Sequence, residues 1–207
     1  PKEDPITAPV VKEVLGPDAE SVALAWRFPG LASKDFEVLQ VVSQVLYNGK
    51  AGLIDLDLNQ QQKVVNSYGY PMGLADYSAF ILGGLPKQGQ MLEEVKDLLL
   101  NEIKKLRAGE FDEKMLQANI NNFKLYELQS MESNEGRADI FVNSFINGTN
   151  WEDEVTAIDR MAKLTKEDIV AFADKYLKED NYAVVYKKQG KDPNEKKMTK
   201  PEITPIV

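Results

Sequence analysis

The chain has 207 residues, 43% of them hydrophobic, which suits one domain with a substantial core, and a formal net charge of −8. That acidic balance argues against phosphate backbones and anionic membranes as ligands, and no apolar run approaches the roughly twenty residues a membrane helix needs. Cysteine and histidine are both absent. Thiolate nucleophiles, His-dependent triads and zinc sites with nitrogen or sulfur ligands are thereby removed, leaving Asp, Glu, Lys, Tyr, Ser and Thr for any chemistry.

Residues 1–20, with prolines at positions 5, 9 and 17, read as an inbound linker. Ser21 to Phe28 places Val22, Leu24 and Trp26 at a period of two before Pro29-Gly30, which predicts a strand. Ser33 is placed to cap a helix in which Phe36, Leu39, Val42, Val45 and Leu46 recur at three-to-four spacing until Asn48-Gly49. A second, shorter helix is expected over Ala51 to Gln62, followed by a hairpin of Val64 to Pro71 and Asp76 to Leu85. From Gln88 the period becomes 3.6. One apolar stripe runs from Leu92 to Leu106, and a second through Leu116, Ile120, Phe123 and Leu128; both are expected to face a core. Ile140, Phe141 and Phe145 continue helix to Asn147-Gly148, Trp151 to Met161 adds a turn or two, and Thr165 with Asp168 forms a capping box for a helix ending near Leu177. Asn181 to Tyr186 closes the order as a strand. The predicted fold is α+β, a mostly antiparallel sheet of about four strands with helices on one face, spanning residues 21–187. Residues 188–207, rich in Lys and Pro, read as an outbound linker to a missing domain.

No local pattern supplies catalytic equipment. Asp55-Leu56-Asp57 and Glu152-Asp153-Glu154 lack the ligand spacing of a calcium loop and read as solvated surface. Gly83-Gly84-Leu85-Pro86-Lys87-Gln88-Gly89 lacks the closing Gly-Lys-Ser/Thr of a phosphate loop and reads as a strand-to-helix turn with room for close packing. Asn147-Gly148-Thr149 satisfies a glycosylation pattern but sits where a helix cap is expected.

Two longer stretches carry a family resemblance. Ser21-Val22-Ala23-Leu24-Ala25-Trp26-Arg27-Phe28-Pro29-Gly30, followed by a helix ending in Tyr47-Asn48-Gly49, resembles the opening of the second, non-catalytic domain of insulinase/pitrilysin-type zinc peptidases. Leu164 to Val170, with Tyr176-Leu177 and Asn181, is similar to that domain's close. The resemblance implies a catalytic His-x-x-Glu-His domain elsewhere in a parent chain, holding the zinc, with no cofactor and no catalytic residue in this chain. It implies a domain that packs against others of the same polypeptide, helps form a chamber for peptide substrates, and leaves the compartment open between periplasm and cytoplasm. Some relatives grip substrate backbone with an Arg and, seven residues on, a Tyr; Asn59 and Asn66 stand at those positions here, so the gripping pair is degenerate. The alternative the resemblance allows is a proteolytically inactive structural subunit, as in the cores of respiratory bc-type complexes; a third reading is a free-standing binding module. If the domain is cut from a larger interface, an exposed apolar patch is expected, with Tyr68 and Tyr70 as candidates.

Overall fold

Five strands and seven α-helices build the structure, a computed structural model that describes residues 2–191. The strands are β1 (Val10–Gly16), β2 (Ser21–Pro29), β3 (Asn66–Met72), β4 (Tyr77–Leu85) and β5 (Tyr182–Gln189). Their order across the sheet is β1-β5-β2-β4-β3, with β1 parallel to β5 and every other pair antiparallel. The sheet is therefore mixed and five-stranded, which corrects the expectation of a mostly antiparallel sheet of about four.

The extra strand is β1, drawn from residues assigned by sequence to the inbound linker. Its register pairs Val10 with Ala183 and Gly16 with Gln189. Val10, Val11, Val14 and Leu15 all remain exposed, at 43–56%. A strand with neither face covered has no need of alternation, so the period-two signal is missing. At the other end, β5 continues to Gln189, and the rest of the expected outbound linker, from residue 192 onward, lies outside the described residues.

The helices are α1 (Lys34–Leu46), α2 (Leu92–Arg107), α3 (Lys114–Met131), α4 (Asn134–Asn147), α5 (Trp151–Val155), α6 (Ala157–Met161) and α7 (Lys166–Tyr176). Ser33 caps α1, and Thr165 with Asp168 forms the capping box of α7, as their sequences predict. Helices α1, α2 and α7 pack on one face of the sheet. Val22, Leu24, Trp26 and Phe28 of β2, together with Phe80 and Leu82 of β4, present fully or almost fully buried side chains to them. Trp26 sits at the centre, its indole N–H donating to the Lys178 carbonyl at 3.1 Å and its ring 5.4 Å from that of Tyr182. Removing such a side chain from a packed core costs about 3–5 kcal/mol.

The expected helix over Ala51 to Gln62 shrinks to a π-helical turn, Asp55–Asn59. Asp55, read as solvated, is instead 4% exposed, and its carboxylate accepts the backbone N–H groups of Asn48 and Gly52, both at 3.0 Å. A carboxylate that caps the preceding turn pulls the chain away from regular α geometry, and Gln62 ends the segment at φ +50°. The Gly83-Gly84 pair lies within β4 and serves packing on both faces. A Cβ on Gly84 would stand 2.5 Å from Val95 of α2, and one on Gly83 would stand 2.4 Å from the ring of Tyr68. Gly148 takes a left-handed conformation at the end of α4, φ +64°, which is the cap the sequence indicates.

Candidate functional site

Asn59 ends the π-helical turn and Asn66 begins β3, an edge strand, so both stand at one margin of the sheet. They do different things. The Asn59 carboxamide donates to the Ser67 carbonyl at 2.8 Å and accepts the Ser67 backbone N–H at 2.8 Å and its hydroxyl at 2.9 Å. It thus acts as a one-residue strand partner on the outer edge of β3. Ser67 is completely buried beneath it. Two residues further along the same outward-pointing set, Gly69 is followed at the next alternation by Pro71, which has no N–H to offer. Blocked edges of this kind resist pairing with foreign strands. Asn66 is exposed and pairs with Leu85 in the ladder.

Tyr68 and Tyr70 stand on the sheet face that the helices leave open, their rings stacked with centroids 6.1 Å apart. Tyr68 lies across Gly83, its register partner, and Tyr70 is 46% exposed. Burial raises the Tyr68 phenol above its ordinary value, with a smaller contribution from Tyr70. The neighbouring open-face positions Ala23, Ala25, Ile81 and Ala183 are only partly covered, and Val185 is exposed. The result is a shallow, largely uncharged floor with a tyrosine rim. Arg27, at one end of this floor, stacks over Tyr77, 5.2 Å from its ring centroid.

A second apolar surface is one the sequence pattern misassigned. The α3 stripe buries Leu116 and Ile120 but leaves Leu128 at 64%, and on α4 Phe141 is 60%, Ile146 70% and Phe145 88% exposed. Of these, Leu128 belongs to the stripe expected to face a core; Phe141 and Phe145 are read from sequence only as continuing the helix. The signal that separates them is in the second half of α4: its charges, Glu135, Arg137 and Asp139, all lie in the first half, while Ile140 to Ile146 contains no charged residue and exposes Phe141, Val142, Phe145 and Ile146.

The polar clusters are structural. Lys105 bridges Asp57 at 2.6 Å and Glu102 at 2.9 Å, tying α2 to the π-helical turn. Glu102 is 1% exposed, and burial pushes its carboxyl above the usual range against the pull of Lys105. The hydrogen bond from Lys105 holds Asp57 below the usual range despite partial burial. Near the start of α1, a cavity of about 310 Å³ contains Lys34, Glu37 and Asp153, but its charges neutralise one another through Lys34–Asp153 at 2.5 Å and Arg160–Glu37 at 2.6 Å. Glu152-Asp153-Glu154 is drawn into these contacts, with Glu154 accepting from Thr149. Among the described residues no group of three or more acidic side chains is arranged to hold a metal ion.

This geometry has counterparts in known proteins. A zinc protease PqqE of Helicobacter pylori is 28% identical over 194 residues, which cover 91% of this chain and 42% of that protein. A solved Helicobacter pylori protease superposes with a TM-score of 0.84 at 22% identity, covering 90% of this chain and 46% of that one. The inactive peptidase domain of a Bordetella parapertussis protein superposes with a TM-score of 0.72 at 17% identity, covering 83% of this chain and 93% of that one. The chain spans less than half the length of the Helicobacter relatives and nearly all of the isolated domain. Residues 1–123 match the family described as peptidase M16 inactive domain, and the chain belongs to that family.

Proposed function

We propose that this chain is the non-catalytic wall of a zinc peptidase: it packs against a catalytic domain of the same polypeptide and helps enclose the chamber that receives peptide substrates. The catalytic domain supplies the zinc and the His-x-x-Glu-His motif, since this chain has no histidine. What carries the reading is the pair of uncovered apolar surfaces. Phe145 at 88% and Ile146 at 70% exposure are large side chains that an independent soluble domain would bury, and among the described residues the open sheet face with Tyr68 and Tyr70 has no second layer. A helix whose C-terminal half exposes large apolar side chains and a sheet face that no described residues cover as a layer are complementary needs. A neighbouring domain of similar architecture satisfies both at once, laying a helix on this sheet while its own sheet receives α4. Asn59 and Asn66 take no part in gripping substrate in this arrangement, the first because its carboxamide is committed to Ser67.

Hydroxyl-radical footprinting of the chain alone and of the full parent protein tests the packing. Phe145, Tyr70 and Tyr126, the last an exposed residue of α3, are expected to be labelled strongly in the isolated chain and at least fivefold less in the parent. Equal labelling in both would overturn the proposal. In parallel, the parent is expected to cleave a quenched peptide library in a chelator-sensitive way. The chain alone is expected to cleave nothing, and its melting temperature to ignore the chelator. An inactive parent would favour the structural-subunit reading.

A further inference from the structure

We propose that Arg27 and Tyr77 form a main-chain-reading subsite for an extended peptide on the open face of the sheet, and that the chain's own Glu3 and Asp4 occupy it. The two side chains come from adjacent strands. Arg27 pairs with Ala79 and Pro29 with Tyr77, so Arg27 and Tyr77 stand diagonally on the same face, the guanidinium over the phenol ring. The Arg27 guanidinium donates to the Asp4 carbonyl, and the Tyr77 hydroxyl accepts the Glu3 backbone N–H at 2.8 Å.

Both contacts are to backbone, one to a carbonyl and one to the N–H of the preceding residue. That is the grip a protein uses when it must hold a peptide of any sequence, because every residue except proline offers the same donor and acceptor. Stacking on Tyr77 limits the freedom of the Arg27 fork, so less entropy is lost when it binds a carbonyl. There is room on both sides. Beyond Arg27, Pro5 and Ile6 border a cavity of about 170 Å³ that also touches Asn181. A second cavity, of about 430 Å³, touches Arg27, Tyr77, Pro29, Gly30 and Asp76.

The leading segment therefore behaves as a tethered ligand. A short tether gives an effective concentration of order millimolar, enough to compete with a free peptide that makes only the same two hydrogen bonds. A peptide must displace Glu3 and Asp4 or meet a chain in which they have been drawn away. The inference rests on the reading that the chain helps enclose a chamber that receives peptides, with the Arg27 end of the open face left clear of the neighbouring domain; it is tested on the chain alone, so footprinting of the parent and binding by the chain can fail independently.

The probe is the free peptide Lys2–Thr7, acetylated and amidated, titrated by NMR into a chain that starts at Ala8, just before β1. Binding with a Kd of about 1 mM is expected, and about twofold weaker binding to the intact chain, where a tethered competitor at a similar effective concentration holds the subsite about half the time. Methylation of the peptide's Glu3 amide nitrogen, which removes the donor to Tyr77, is expected to weaken binding at least tenfold. Arg27→Ala in the shortened chain is expected to weaken it at least fivefold. Replacing every side chain of the peptide by alanine is expected to change the affinity by no more than about threefold. Should the shortened chain fail to fold, Glu3→Pro in the intact chain removes the same donated N–H and opens the subsite, and the same comparisons apply. Equal binding to intact and opened chains, or indifference to amide methylation, would overturn the inference.

Discussion

One sheet carries two contrasting faces. Toward α1, α2 and α7 the strands present Val22, Leu24, Trp26, Phe28, Phe80 and Leu82, all at 0–1% exposure. Away from the helices the same strands present Ala23, Ala25, Ile81 and a tyrosine pair, partly or fully open to water. The helix-facing side is filled with large side chains in mutual contact. The open side is built from small residues with a few aromatics at the rim, the composition of a surface that receives something flat and apolar rather than one that meets only solvent. Alternate residues of the same strands thus serve the core on one face and, on the reading proposed above, docking on the other, and a substitution on one face should read out in a different experiment from its neighbour on the other.

The largest effect is expected at the filled face. Trp26→Ala leaves a cavity between Phe80, Tyr182 and α7 and strands the Lys178 carbonyl, and should lower stability by about 3–5 kcal/mol in urea titration. Tyr70→Ala, on the open face, should stay within about 1 kcal/mol. If the two losses were similar, the open face would be contributing to the core and the contrast between the faces would collapse.

Asn59→Ala comes next. It removes three hydrogen bonds from fully buried Ser67, and an expected loss of about 1–3 kcal/mol follows from leaving buried polar groups without partners. Asn66→Ala, at an exposed position, should cost less than about 0.5 kcal/mol and change kcat/KM of the parent by no more than threefold. A hundredfold loss of kcat/KM for Asn66→Ala would show that this position binds substrate after all.

These two residues also show where reading from sequence succeeds and where it stops. The filled face was legible because burial on one side imposes a period of two on β2 and a capped three-to-four period on α1 and α7. β1 was not, because an edge strand exposed on both sides obeys no such constraint. Asn59 and Asn66 could be placed by family resemblance, but their difference in role depends on a π-helical turn bringing position 59 alongside Ser67, which no spacing rule encodes. The outer surfaces of α3 and the second half of α4 are apolar at helical spacing, as a core-facing stripe would be; only the fold reveals that none of the described residues covers them. Arg27 and Tyr77 carry no motif, being fifty residues apart and joined by strand register.

A smaller effect is expected at the charged cluster beneath the sheet margin, and it has a sign. Asp57 is held below its ordinary value by the hydrogen bond from Lys105, so its contribution is present above the ordinary carboxylate range and is lost as pH falls through the lowered value. Glu102 is pushed upward by burial, so its ionisation takes stability away as pH rises from the ordinary value through the raised one. Relative to the unmodified chain, Asp57→Asn should therefore become less stable, and Glu102→Gln more stable, as pH is raised from 3 to 7. The Asp57 change should remain under about 1 kcal/mol because the pair is partly screened by water. Parallel curves for both variants would mean that burial does not outweigh the pull of Lys105 at Glu102.

The smallest expected effect on stability belongs to the side chain expected to matter most for assembly. Phe145 is 88% exposed on α4, so Phe145→Asp removes little packing and adds a charge that water can solvate; the isolated chain should change by no more than about 0.5 kcal/mol. In the parent, the same carboxylate would be forced into an apolar contact with no cation to meet it, and burial of an unpaired charge costs several kcal/mol. The variant parent should then lose the footprinting protection of Phe141, Tyr126 and Tyr70, while the variant chain alone melts like the original. Tyr70 is the informative residue, since it lies on the sheet and not on α4. If Phe145→Asp unmasks the helices and leaves Tyr70 protected, the two surfaces are covered by separate partners; if it unmasks both, one neighbouring domain holds them together.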